Sequence, residues 1–324
     1  MAKLAYILSA SHSGSTLLAM LLGAHPDACT VGELKATSLG DAHRYLCSCG
    51  TPIRACQFWK SVTDRMAQRG IAFDVAHAGT SVHAVDSRYA RRLLRPLHRG
   101  PILETVRDVA LAFSPSWRFH LATSQIVNAN LVQTLTELTG AKIVIDSSKV
   151  AIRLKYLLQN PDLDIRVIRL IRDGRGVTLT YVNPIDFADA DDPSRRSGGY
   201  GGDRDSEKLS MADAALEWRR SNEEAEQLLN RVDPSHQTKI HYEDLCADPE
   251  AVLITIFEFL EIDPARMVRE FRSVDHHVVG NGMRLNTTSA IRLDERWKTN
   301  LSDDQLRIFD AVAGALNRKY GYVE

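Results

Sequence analysis

Nothing in these 324 residues has the length of a membrane span. The best apolar stretch, Leu17 to Ala24, ends at His25-Pro26, well short of the roughly 20 residues a bilayer requires. A cysteine framework is also lacking. The five cysteines, Cys29, Cys47, Cys49, Cys56 and Cys246, are odd in number in a chain too long to need stapling, which points to free thiols in a reducing compartment. Neither sign of charge predominates: 40 Lys and Arg face 41 Asp and Glu, so no nucleic-acid-binding surface is expected. A secretory leader is not expected either, because the apolar start breaks at Ser9. The expectation is a cytoplasmic protein with no membrane span. A balanced total still leaves room for a local basic pocket that binds a small anion.

The apolar pattern that is present alternates between two kinds. Leu4 to Leu8 reads as a buried strand, Ser9 to Ser15 as a small-residue loop, and Thr16 to Ala24 as an apolar helix. Lys142 to Asp146, Asp164 to Ile171 and Thr238 to His241 read as further strands. Ala151 to Gln159, Pro249 to Leu260 and Ser302 to Tyr320 read as helices, the last capped by Ser302. This alternation predicts an α/β fold, a mainly parallel sheet flanked by helices. Residues 35–140 read as a mostly helical insertion forming part of an acceptor pocket, and residues 183–207, rich in Gly and Asp, as a mobile loop. The whole chain, 1–324, reads as one domain.

A Ser- and Gly-rich loop between a buried strand and a helix offers backbone N–H groups at the positive end of the helix dipole, a ready anion site. Ser11-His12-Ser13-Gly14-Ser15-Thr16 is such a loop. Against the nucleotide-triphosphatase pattern G-x-x-x-x-G-K-[ST], Gly14 and Thr16 fit, but Ser9 replaces the first Gly and Ser15 the Lys. Without the lysine that clamps the β and γ phosphates, a Mg-dependent kinase loses most of its support. Binding of a single phosphate survives.

The segment SASHSGSTLLAMLLGAHPDACTVGEL resembles the 5′-phosphosulfate loop of P-loop sulfotransferases that use 3′-phosphoadenosine 5′-phosphosulfate (PAPS). IRDGRGVTLTYV is similar to that family's 3′-phosphate element, with Arg172 at a strand end and Thr180 eight residues on, Thr standing where Ser is usual. VIDSSK, KIHYEDLCADPE with FEFLEI, and HHVVGNGMR followed by LDERW are similar to segments of bacterial members. The resemblance implies a P-loop nucleotide-binding α/β fold. It also implies transfer of a sulfuryl group from PAPS to a hydroxyl of a small-molecule or glycan acceptor, with 3′-phosphoadenosine 5′-phosphate (PAP) as product. Where the family commonly has Lys or Arg before S-G-[ST]-[ST], this chain has His12, which implies a pH dependence near neutrality.

Sulfuryl transfer, like phosphoryl transfer, needs cationic donors on the leaving phosphate, a base for the acceptor hydroxyl, and the two facing each other. The donors expected are His12, the backbone of Ser13 to Thr16, and Lys149, placed at the carboxyl edge of a strand where open α/β sheets bind ligands. Glu33, which returns near the same edge and resembles the family's carboxylate, is the expected base; Lys35 and His120 are alternatives. Arg172 and Thr180 would read the 3′-phosphate, and Arg284 is a second contact by resemblance. Trp218 and Trp297 read as core and not as adenine platforms. A small-molecule or nucleotide kinase and a nucleotide-binding module without catalysis are the competing readings; Glu33 and Lys149 argue against the second. His43, Cys47, Cys49 and Cys56 could form a local zinc site, a disulfide or free thiols. The spacing is unlike the usual C-x2-C pairs, and no metal is assigned.

Overall fold

A computed structural model describes residues 1–35, 39, 42–94, 100–184 and 208–323. Most of the 183–207 segment therefore lies outside the described residues. Five strands form one parallel sheet: β1 (Ala2–Leu8), β2 (Ala28–Gly32), β3 (Ile143–Lys149), β4 (Leu163–Ile171) and β5 (Gln237–His241), in the order β2-β3-β1-β4-β5. The α/β expectation thus holds, with β1 at the centre. Alternation along β1 explains why it is buried on both sides: Leu4, Tyr6 and Leu8 enter one core, while Ala5 and Ile7 enter the other.

Helix α1 (Ser15–Gly23) follows β1 and packs its leucines into the second core. Between β2 and β3 lie α2 (Gln57–Gln68), α3 (Arg88–Leu93), α4 (Gly100–Ala112) and α5 (Pro115–Thr139). Helix α5 begins with Ser114 accepting from Trp117 N–H and Pro115 at its first position, and it ends at Gly140 in the left-handed region. Helix α2 and α5 cover the first core through Trp59, Val62, Met66, Leu131, Val132 and Leu135. Helices α6 (Ala151–Leu157), α7 (Gly174–Val182), α8 (Met211–Leu229), α9 (Tyr242–Ala247) and α10 (Pro249–Phe259) complete the alternation. The C-terminal helical stretch starts at Asp303 under a full capping box from Ser302 and Gln305, and passes through a π-helical turn at 310–314. Among the described residues, no helix is long and apolar enough to cross a membrane.

Strand β2 was not anticipated from the sequence. Its residues, ACTVG, are short and small, and it is held by pairing on both sides. β3 lies on one side. On the other, Val279 N–H donates to Val31 O (2.8 Å) and Glu33 N–H to Val279 O (3.1 Å). Gly32 has φ 82°, and a Cβ there would lie 2.0 Å from Val279 O, so only glycine permits this close approach. The 279 segment thereby closes what would be an open sheet edge.

Candidate active site

All five parallel strands deliver their carboxyl ends to one cavity of about 1140 Å³. After β1 come Ser11, His12, Gly14, Ser15 and Thr16; after β2, Glu33 and Lys35; at the end of β3, Lys149; after β4, Arg172; after β5, Tyr242. This is the edge at which a doubly wound sheet binds ligands. The lining carries six Lys and Arg side chains against three carboxylates. A chain of net charge −1 therefore encloses a basic cavity.

The loop after β1 is shaped by two residues in the left-handed region, His12 at φ 61° and Gly14 at φ 88°. Gly14 starts α1 without a side-chain cap, so the first N–H groups of the helix are left for a ligand. Thr16 and Ser15 are buried at the cavity wall. The Ser13 hydroxyl is buried, has no hydrogen-bond partner among the described residues, and does not line the cavity. The His12 ring stands edge-on to Tyr181, centroids 4.8 Å apart, and its carbonyl accepts from Arg172 Nη1 at 2.7 Å. Arg172 in turn lies over the Tyr242 ring and pairs with Asp294 at 3.0 Å. Burial alone would raise the Asp294 pKa, yet Arg296 and Arg172 hold it well below the usual carboxylate range. Thr180, within α7, also lines the cavity, its hydroxyl donating to Gly176 O.

Glu33 and Lys149 are both buried and in direct contact, Nζ donating to Oε1. Lys35 Nζ reaches the other carboxylate oxygen at 3.1 Å. Burial would push the Glu33 pKa up, but the two lysines outweigh it and hold it at about 2. For Lys149 burial presses the pKa down against the pull of Glu33. The register of β1 against β3 shifts between Tyr6/Asp146 and Leu8/Lys149, which puts a bulge at the end of β3. Lys149 sits there at φ 70°. A bulge re-aims a side chain, and here it turns Lys149 toward Glu33.

Buried Asp146 secures this corner, and the sequence reading passed it over. Its Oδ1 accepts from Leu34 N–H (3.1 Å) and Ser148 N–H (2.9 Å), its Oδ2 pairs with Arg153, and Ser148 Oγ accepts from Lys35 N–H (2.8 Å). The two residues that follow Glu33 are thus fixed to the end of β3.

Two expected residues are not brought to the cavity. Arg284 is fully buried and donates to the carbonyls of Leu46, Gly280 and Asn281, with its guanidinium over the Tyr45 ring, so it holds a loop together. His120 bonds Ser81 O at 2.9 Å and does not line the cavity. Of the described residues in 35–140, only Lys35 lines it. The opposite wall comes from the irregular stretch that includes Phe271, Arg272, Asn281, Met283, Arg292 and Arg296. Trp218 is core, packed on Phe309 and Tyr320, and Trp297 carries Arg175 over its ring at 4.0 Å. Cys47, Cys49 and Cys56 converge, but the histidine beside them is His277, whereas His43 is exposed and outside the cluster.

Residues 163–265 match the sulfotransferase family. Among solved structures, the chain is similar to the sulfotransferase domain of the Synechococcus PCC 7002 olefin synthase, with 18% identity, coverage of 99% of this chain and 95% of that one, and a TM-score of 0.47. It is similar to sulfotransferase STF9 from Mycobacterium avium at 17% identity, covering 96% and 75%, TM-score 0.44. Mouse sulfotransferase SULT7A1 complexed with PAP matches at 15% identity, covering 59% and 75%, TM-score 0.38. No curated protein matches the chain in sequence.

Proposed function

From the match of residues 163–265 to the sulfotransferase family, we propose that this chain moves a sulfuryl group from PAPS to a hydroxyl acceptor, a carbohydrate, lipid or phenolic metabolite, and releases PAP. The observation that carries this reading is the meeting of an uncapped helix N-terminus with a buried carboxylate–ammonium pair at one end of the sheet, in a cavity whose charged side chains are mainly Lys and Arg. The residues fit an anionic nucleotide. The α1 N-terminus carries no side-chain cap, and six Lys and Arg side chains line the cavity beside it.

The loop from Ser11 to Thr16, His12 and Lys149 would hold the 5′-phosphosulfate end, and Arg172 with Thr180 the 3′-phosphate. Bound there, PAPS supplies an electron-poor sulfur that passes in line from a phosphate oxygen to the acceptor oxygen. Glu33 takes the acceptor's hydroxyl proton. A carboxylate with a pKa of about 2 is ionised and ready at neutral pH but is a weak base. When Lys149 turns its charge toward an anionic ligand, its hold on Glu33 slackens and the carboxylate becomes more basic. Asp146 and Ser148 keep the Glu33 backbone in place throughout. The balanced surface and the basic cavity favour a small acceptor over a polyanion.

Incubation with PAPS labelled in the sulfuryl group, against a panel of hydroxyl acceptors and cell extract, tests the reading. Labelled acceptor and PAP should form in equal amounts. Transfer of the γ-phosphoryl group of ATP with Mg, or tight PAP binding without transfer to any acceptor, would overturn it.

A further inference from the structure

The structure brings together three thiols and an imidazole that the catalytic cavity does not use. Cys47 and Cys49 flank a tight turn closed by Gly50 N–H donating to Cys47 O and Cys47 N–H to Thr51 O, both at 2.9 Å, with Gly50 at φ 83°. Cys56 precedes α2 at its N-cap. His277 arrives from a segment 221 residues further along. Its ring is fixed by stacking on Phe58, centroids 4.3 Å apart and planes 9° from parallel, with Nδ1 turned to the sulfurs. The four ligand atoms lie within 4.8 Å of one another.

We propose that Cys47, Cys49, Cys56 and His277 bind one zinc ion as a closed structural site. A tetrahedral Zn²⁺ with Zn–S about 2.3 Å and Zn–N about 2.0–2.1 Å sets S···S edges of about 3.8 Å and S···N edges of about 3.5 Å. The structure has Cys49 Sγ to Cys56 Sγ at 3.8 Å, Cys56 Sγ to His277 Nδ1 at 3.4 Å and Cys47 Sγ to His277 Nδ1 at 3.8 Å. A disulfide would need two sulfurs about 2.05 Å apart and would leave a thiol and the imidazole without a purpose. Four protein ligands fill a tetrahedron and leave no open position, so the ion is structural and not catalytic.

Its position gives it something to hold. Ser48, between two of the ligands, donates to His276 O and accepts from Val278 N–H at 2.8 Å. Tyr45 Oη accepts from Gly280 N–H at 2.9 Å and donates to Gly280 O at 3.2 Å. The next residue back, Val279, bonds the backbone on both sides of Gly32 and so borders Glu33. The ion would staple the turn and α2 to the segment that closes the β2 edge.

The test is metal content, read without substrate and so separable from any question of sulfuryl transfer. Full-length protein produced with zinc supplied and purified without chelator should contain one zinc per chain by elemental analysis. A mercurial thiol reagent should release that zinc stoichiometrically. Co²⁺ exchanged into the site should show thiolate-to-metal charge transfer and the intense visible bands of a tetrahedral centre. His277→Ala and Cys56→Ser should lose the ion, whereas His43→Ala and Cys246→Ser should keep it. Should the first two variants fail to fold, the wild-type measurement decides. Folded wild-type protein with substoichiometric zinc, or with Cys49 and Cys56 joined in a disulfide on isolation, would overturn the proposal.

Discussion

Lys149 Nζ touches the Glu33 carboxylate across the ends of two neighbouring strands, both side chains buried and Lys149 in the left-handed region. A non-glycine residue at positive φ carries strain and persists only where its surroundings enforce it. Here the enforcement is the β3 bulge on one side and the Asp146–Ser148 network on the other. The pair couples the group that would meet the leaving phosphate to the group that would take the acceptor proton.

Glu33→Gln keeps the shape and an acceptor for Lys149 but removes the basicity. PAP affinity should stay within about twofold while kcat falls by roughly 10² to 10⁴, the usual share of a general base. Calorimetric PAP titration and steady-state kinetics on one well-used acceptor check this. Near-full kcat with chemistry rate-limiting would remove Glu33 from the role and turn attention to Lys35.

The same carboxylate sets an acid limb of stability. Its pKa is depressed from 4.5 to about 2 on folding. The unfolded chain therefore binds more protons in between, and the stabilisation is complete above pH 4.5 and lost as pH falls toward 2. The difference in Tm between wild type and Glu33→Gln should shrink steadily below pH 4.5. A difference that stays constant down to the lowest pH at which both fold would show that the pair does not favour the ionised carboxylate.

Legibility in the sequence followed locality. The loop from Ser11 to Thr16 and the strand-to-helix turn at Arg172 each lie in one contiguous segment, so local pattern reveals them. Strand β2 is hard to read from sequence because ACTVG is only five residues long, is bounded by the weak strand formers Ala and Gly, and is stabilised by neighbours distant in sequence. The wall from Phe271 to Arg296 lacks the period that would mark it, and Asp294 as the partner of Arg172 is a purely tertiary relation. Arg284 shows the converse. Its motif drew attention, but its guanidinium is consumed by backbone carbonyls. Proximity in sequence offers His43 as the fourth member of the cysteine cluster, while the fold supplies His277.

Arg172→Ala should weaken PAP binding by about 1.5 to 3 kcal/mol more than binding of adenosine 5′-phosphosulfate, the worth of a charge-assisted bond to the 3′-phosphate. The comparison of the two nucleotides matters because Arg172 also supports the His12 carbonyl, so both could lose some affinity. Equal losses would reject the 3′-phosphate assignment. Asp294→Asn removes the carboxylate that competes for the same guanidinium, so PAP should bind that variant at least as tightly as the parent.

Gly14 offers a test of the loop that involves no charge. It sits at φ 88°, and a Cβ there would lie 2.5 Å from Cδ2 of the Tyr242 ring. Gly14→Ala therefore meets two separate penalties, backbone strain of order 1–3 kcal/mol and a steric clash with a ring that also carries Arg172 on its face. PAP affinity should fall at least tenfold, with a lowered Tm. Adding Tyr242→Leu relieves the clash but not the strain, so the double variant should recover part of the Tm. PAP affinity should recover less, because the Arg172 platform is gone. If Gly14→Ala alone binds PAP like the parent, the loop does not hold the nucleotide in the conformation seen here.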